Sequence, residues 1–143
     1  MTSFAQQLNA FGEKAKVKQE QALRKVSFEL FSRVIMRTPV KTGRLRGNWQ
    51  ATTDKPAQSE VNRDDNQAPT NQRGVGSSSA KQAMEELVLG IGNPTVFHLT
   101  NPLPYARVIE YGDPHGSEQA PQGMVRVSVA EFQDVVNQVA GAV

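Results

Sequence analysis

The feature that most constrains this chain's fold is a helical apolar stripe longer than a core of its size can cover. Phe4, Leu8, Phe11 and Ala15, then Val26, Leu30 or Phe31, and Val34 recur at intervals of three and four, the period of an amphipathic helix. The spacing predicts a helix over residues 3–37. At about 1.5 Å per residue it is on the order of 50 Å long, whereas 143 residues are the size of one domain with one core. Part of the helix must therefore project or meet another subunit. Gly12 and the polar run from Glu13 to Gln21 predict a kink or a frayed first turn. Thr38-Pro39 ends the helix, because proline clashes with the preceding turn and drives the residue before it out of the α region.

Beyond the proline the signals are shorter. Thr42-Gly43 predicts a turn, and Leu45 to Thr53, with Trp49 its one large apolar residue, fits either a helical turn or an edge strand. From Asp54 to Ser79 the chain is dominated by Asp, Asn, Gln, Ser, Gly and Pro, a stretch too polar to bury itself. It reads as a functional arm that reaches a neighbour, or as a disordered loop. Ser77-Ser78-Ser79 supplies caps for a helix with Ala80, Ala83, Met84, Leu87 and Val88 on one face, stopped by Gly90 or Gly92. Thr95 to Thr100 predicts a strand closed by Asn101-Pro102. Pro104 to Tyr111 predicts a short helix ended by Gly112. Val125, Val129, Phe132, Val136 and Val139 form the stripe of a C-terminal helix, although Val125-Val127-Val129 alternate as a strand would. The fold class expected is α+β, a single domain over 1–143: a long N-terminal helix, a small sheet, short middle helices, a C-terminal helix and a polar arm at about 54–79.

Composition narrows the chemistry. Hydrophobic residues make up 38% of the chain, so the core is modest. No cysteine occurs, which removes disulfides, thiolate zinc sites and cysteine nucleophiles. No run approaches the roughly 18 apolar residues of a membrane span, and the N-terminus lacks the order of a signal peptide, so a cytosol-like compartment is expected. His98 and His115 lack ligand spacing, and the adjacent pairs Asp64-Asp65 and Glu85-Glu86 point apart, reading as solvated charge. Ser77-Ser78-Ser79 has no nucleophile-elbow setting, and Arg73-Gly74-Val75-Gly76 has no phosphate-loop lysine. Neither catalysis nor a cofactor nor a metal is expected.

The net charge of +2 hides an asymmetry. Residues 13–46 carry ten Lys/Arg against three Glu, a net +7, and residues 47–143 carry a net −5. Such a chain can attract copies of itself head to tail. Arg37, Lys41, Arg44 and Arg46 surround the turn after the long helix, next to Trp49. The cluster suits DNA phosphates with an aromatic for stacking, or the acidic part of a neighbour; for Arg33 and Arg37 a third reading is a favourable interaction with the helix dipole. A solvated helix face with no partner is the plainest alternative.

Two segments carry a resemblance. The first is Arg37-Thr38-Pro39-Val40-Lys41-Thr42-Gly43-Arg44-Leu45-Arg46-Gly47-Asn48-Trp49. The second runs from Leu99-Thr100-Asn101-Pro102-Leu103-Pro104-Tyr105 through Glu110-Tyr111-Gly112, then from Gln119-Ala120-Pro121 through Gly123-Met124 to Phe132. Together they resemble the neck and tail-completion proteins of lambda-like siphophages, the minor tail protein Z-like tail components. Lys41 stands where that family often has Asp, and Pro102 where Asn is common. The resemblance implies a structural virion protein forming an oligomeric ring, of six or twelve copies, at the head-tail junction. Its neighbours would be head-completion or connector proteins and tail terminator or tail tube proteins, with DNA passing through the lumen and no membrane. It implies assembly in the bacterial cytoplasm and residence in the virion. The rivals are a tail terminator ring and a DNA-binding accessory protein using 33–46. The fold and assembly motif would comprise Thr38, Pro39, Thr42, Gly43, Leu45, Trp49, Asn101, Pro104, Tyr105, Glu110, Gly112, Ala120, Pro121, Gly123 and Met124, with Trp49 and Tyr105 as the large core anchors.

Overall fold

The structure, a computed structural model, describes residues 3–40, 42–65, 78–92, 96–111 and 123–140, without the side chains of 14–16 and 140. The expected long helix is α1 (Phe4–Arg37). Ser3 caps it: its hydroxyl accepts from the Gln6 amide at 3.2 Å, and the Gln6 side chain accepts from the Ser3 amide at 2.9 Å. This reciprocal capping satisfies donors that a helix start otherwise leaves open. The helix runs without interruption through Gly12, where composition points to a kink or fraying. At the other end Thr38 is extended, as a residue before proline must be. Its hydroxyl donates to the Val34 carbonyl at 2.8 Å and accepts from Trp49 Nε1 at 2.6 Å.

That hydroxyl links helix end to core, and it carries a prediction. Thr38→Val keeps the volume but leaves the buried indole N–H without its acceptor. The expected cost is about 1–3 kcal/mol, read from chemical denaturation as a lower midpoint at unchanged slope.

The elements after the proline are α2 (Arg44–Gly47), β1 (Gln50–Thr52), α3 (Ser79–Gly90), β2 (His98–Thr100), α4 (Ala106–Tyr111), α5 (Val125–Ala130) and α6 (Phe132–Ala140). The choice left open for 45–53 resolves as both: a helical turn, then a strand. β1 and β2 pair antiparallel, with Gln50 opposite Thr100, Ala51 opposite Leu99 and Thr52 opposite His98. α3 packs between β1 and α1, and α1 also meets α5 and α6. Ser78 caps α3 through the Lys81 amide at 3.1 Å, and Ala80, Met84 and Val88 form its buried face, which matches the spacing read from the sequence.

The core joins Val34, Ile35 and Met36 of α1 to Leu45, Trp49, Ala80, Met84, Val88, Leu103 and Met124. Only the second half of α1 takes part. Phe4 is 75% exposed and Phe11 73%, and Leu8 and Val17 are also exposed. From Ser3 to Gln19 every described side chain faces outward, so the first half of the helix is a stem.

Three expectations need correcting. The C-terminal stripe does not belong to one helix. The Ser128 hydroxyl donates back to the Met124 carbonyl at 2.8 Å, a bond that bends helices, and the axis breaks at Glu131. Val135 and Val139 then face inward while Val129 and Phe132 are exposed. Tyr105 is 39% exposed and does not anchor the core; Trp49 does. Finally, the polar stretch from Asp54 lies on its own subunit as far as Asp65. Gln50 Nε2 donates to the Ser59 carbonyl (2.9 Å), the Val61 amide to Asn48 Oδ1 (2.8 Å), and Arg63 to the carbonyls of Gly47 and Trp49 (2.8 Å each). Main-chain partners hold this segment, so its poverty in aliphatics gives no sign of them. Residues 66–77 lie outside those described.

Candidate assembly site

The two motif segments converge. β1 follows the first and β2 opens into the second, so sheet pairing sets them side by side. Asn101 reinforces the join, its side chain donating to the Leu45 carbonyl at 2.7 Å while accepting from the Leu103 amide at 3.3 Å. Gly43, at φ 88°, starts α2 in a left-handed conformation that glycine adopts without strain. Its carbonyl accepts from both Gly47 and Asp65 at 2.9 Å. Thr42 steadies the turn through the Arg44 amide at 3.3 Å. Pro39 is half-buried in the bend after α1, and Leu45, Trp49 and Met124 are core residues.

Glu110 makes the tightest of these joins. Its carboxylate accepts from the backbone amides of Met124 (2.8 Å), Val125 (2.5 Å) and Arg126 (3.1 Å), and from Arg126 Nε at 3.0 Å. Burial raises the carboxyl's proton affinity, but these donors outweigh it and hold Glu110 below the usual carboxylate range. Gly123, at φ 88°, sits against it: a Cβ there would stand 2.2 Å from Glu110 Oε2.

The cations expected to face a partner mostly face inward. Arg46 is completely buried, with Nη1 3.6 Å from Asp65 Oδ1, so it cannot touch DNA or a neighbour. Asp65, read as solvated, is equally buried and also accepts from the Ser78 hydroxyl and, at 3.2 Å, from the Ala80 amide. Arg37 grips both carboxylate oxygens of Glu131, at 2.5 and 3.0 Å, and reaches Ser128 Oγ at 3.1 Å; Arg33 lies 3.3 Å from the same carboxylate. The hydrogen bond from Arg37 lowers the affinity of Glu131 for its proton and the two positive charges add to this, outweighing burial. Arg44 is exposed and paired with Glu60 at 2.5 Å. Lys41, Gly112, Ala120 and Pro121 lie outside the described residues, as does His115. The sequence reading missed Asp65, Arg63, Ser78 and Glu131 as partners, and only spatial proximity identifies them.

Among the described residues no group of His, Asp and Glu is placed to hold a metal ion, and no helix is long and apolar enough to cross a membrane. His98 is half-buried in β2 opposite Thr52. The motif residues thus serve mainly to bind one part of the chain to another. Among the described residues exposed large apolar side chains lie at Leu89, Val96 and Phe132, on the stem, and on the outer face of α4 and α5. There Pro104, Arg107, Val108 and Tyr111 line an open cleft of about 290 Å³, with Tyr111 59% exposed.

A family model described as "Bacteriophage HK97-gp10, putative tail-component" matches residues 2–112. The chain belongs to the HK97-gp10-like family. This agrees with the resemblance carried by the two motifs and makes the protein a bacteriophage tail component by family. The match spans the stem, the first motif, both strands, α3 and α4, and residues 119–132 of the second motif lie beyond it. No curated protein and no solved structure matches the chain at a significant level.

Proposed function

We propose that this tail-component chain is a structural virion subunit that closes into a ring at the head-tail junction and completes the neck or tail. The observation that carries the reading is the stem. A chain of 143 residues that sets Phe4, Leu8 and Phe11 outside its core presents an apolar surface of the kind that marks a protein partner. A head-to-tail contact between copies yields a closed ring when the rotation between neighbours divides a full turn. Six or twelve copies fit the resemblance. Connector proteins on one side and the tail terminator or tube on the other are the expected neighbours, with DNA passing through the lumen. The DNA-binding alternative loses force because Arg33, Arg37 and Arg46 are engaged with carboxylates inside the subunit.

Assembly of particles without this chain tests the reading. Filled heads and free tails, counted by electron microscopy, are the expected result. Virions that lack the chain yet keep firmly attached, functional tails would overturn it.

A further inference from the structure

We propose that the C-terminal end of α3 in one copy docks in the α4 cleft of the next copy, with Glu85, Glu86 and Leu89 meeting Arg107 and Tyr111. The inference rests on the ring reading above and names its interface.

Glu85 and Glu86 precede Leu89 by four and three residues, the spacings that make neighbours on a helix surface. All three are exposed, Leu89 at 51%, so the end of α3 offers an aliphatic side chain beside two carboxylates. Among the described residues neither carboxylate forms an ion pair. Lys81, one turn before Glu85, lies 6.0 Å from the Phe28 ring centre. A Cβ placed at Gly90 or Gly92 would meet no atom within 4 Å, and neither glycine has a positive φ. This end of α3 therefore stands clear of its own subunit and carries no bulk that would hold a second molecule away.

The α4 face has the opposite character. Pro104, Arg107, Val108 and Tyr111 line an open cleft of about 290 Å³, roomier than the roughly 150 Å³ that holds a benzene-sized ring, so a leucine side chain fits. Arg107 is exposed, lies 5.8 Å from the Tyr111 ring centre and has no carboxylate partner among the described residues. Arg126 lies 5.0 Å from the same ring, and Glu110 at 3.0 Å offsets its charge. Glu110 is the one carboxylate of α4 and α5, and it is buried. The face thus joins an apolar hollow to the unmet positive charge of Arg107.

These local charges select the occupant. Two α3 ends would set carboxylates against carboxylates, and two α4 clefts arginine against arginine, whereas α3 against α4 joins opposite signs. Both halves of the contact lie on one chain, so a second copy supplies what the first lacks. Exposed ion pairs add little attraction each. Leu89 against Val108 and the Tyr111 ring supplies the apolar part, and the carboxylates at Arg107 fix the orientation. Each copy gives one α3 end and receives another, the heterologous contact a ring needs.

The chain has no cysteine, so engineered thiols report the contact cleanly. Leu89→Cys is combined with Val108→Cys, and separately Glu86→Cys with Arg107→Cys, in particles carrying the variants, which are treated with a short bismaleimide. At least one pair should give a ladder of dimers and higher multimers on denaturing gels, and each single variant none. A dimer from a single variant, a link confined to one copy, a link only to a different virion protein, or no multimer from either pair would overturn the proposal and leave the ring reading standing. Particles from which the parent chain is absent would overturn the ring reading and the proposal with it. Exchange of charge gives a second measure. Arg107→Glu, and Glu85→Arg with Glu86→Arg, should each lower the amount of chain in particles about tenfold, with far-ultraviolet circular dichroism of the purified chain unchanged. All three substitutions together should restore it, because opposite signs then meet again with places exchanged. Unchanged amounts in the first two variants, or a triple variant as deficient as they are, would overturn the contact.

Discussion

Asp65→Ala should destabilise the protein by about 3–5 kcal/mol, the range for removing one partner of a buried ion pair. Arg46 and Asp65 are both sealed from solvent, at 0% and 1% side-chain exposure. Removal of the carboxylate strands a guanidinium whose burial already disfavours its charge. The same substitution takes an acceptor from the Ser78 hydroxyl and the Ala80 amide, both at the start of α3, where a negative charge also complements the helix dipole. Against the roughly 5–15 kcal/mol that holds a domain of this kind together, such a loss exposes much of the population to unfolding. Urea denaturation gives the size directly. Replacing both ions, as Arg46→Met with Asp65→Leu, should recover the part of the loss that comes from the stranded guanidinium, because an apolar pair of similar bulk does as well as a buried salt bridge or better, and should leave the part that comes from the lost acceptor of Ser78 and Ala80. A change below about 1 kcal/mol for Asp65→Ala would show that the pair does not fasten the 60–65 segment to the body. Gly47 marks the same seam from the other side: a Cβ there would fall 1.7 Å from the Arg63 carbonyl oxygen, so only glycine lets the segment lie this close.

How much of this was legible in the sequence follows from the kind of force involved. Periodicity and punctuation report local structure, and they located α1, its stop at Pro39, α3 and its Ser78 cap, and α4. They also required that α1 outrun its core, which the exposed Phe4 and Phe11 bear out. They failed where a side chain answers to something distant in sequence. Arg46 and Arg44 are indistinguishable by composition, yet one is buried against Asp65 and the other exposed beside Glu60. Asp64 and Asp65 read as one solvated pair, and alternate burial separates them. The valine stripe of the C-terminal segment kept its period across Glu131, but Arg37 holds that residue and Ser128 bends the axis before it, so the stripe divides between core and surface. The motif residues were visible as a set; that so many of the described ones bond within the subunit was not.

Glu110→Gln should have the other large effect, about 1.5–3 kcal/mol for weakened bonds to a charged acceptor, together with a change in acid response. In the folded protein Glu110 and Glu131 both hold their protons less tightly than usual, so their unfolded forms protonate first as pH falls. Stability from these two groups is therefore complete above the ordinary carboxylate value of 4.5 and declines below it, until the pH has passed beneath the folded values. Glutamine at 110 cannot titrate, so the variant should start less stable at neutral pH and lose less on acidification. Because Glu131 still titrates, the slope should shallow without vanishing, and adding Glu131→Gln should shallow it further. Gly123→Ala attacks the same clamp sterically, through both the 2.2 Å approach to Glu110 Oε2 and a φ of 88° that a side chain resists. If denaturation midpoints between pH 3 and 7 fall as steeply in Glu110→Gln as in the parent, the carboxylate does not hold α4 to α5 by its charge. The parallel between motif spacing and this clamp would then have to rest on the Gly123 turn alone.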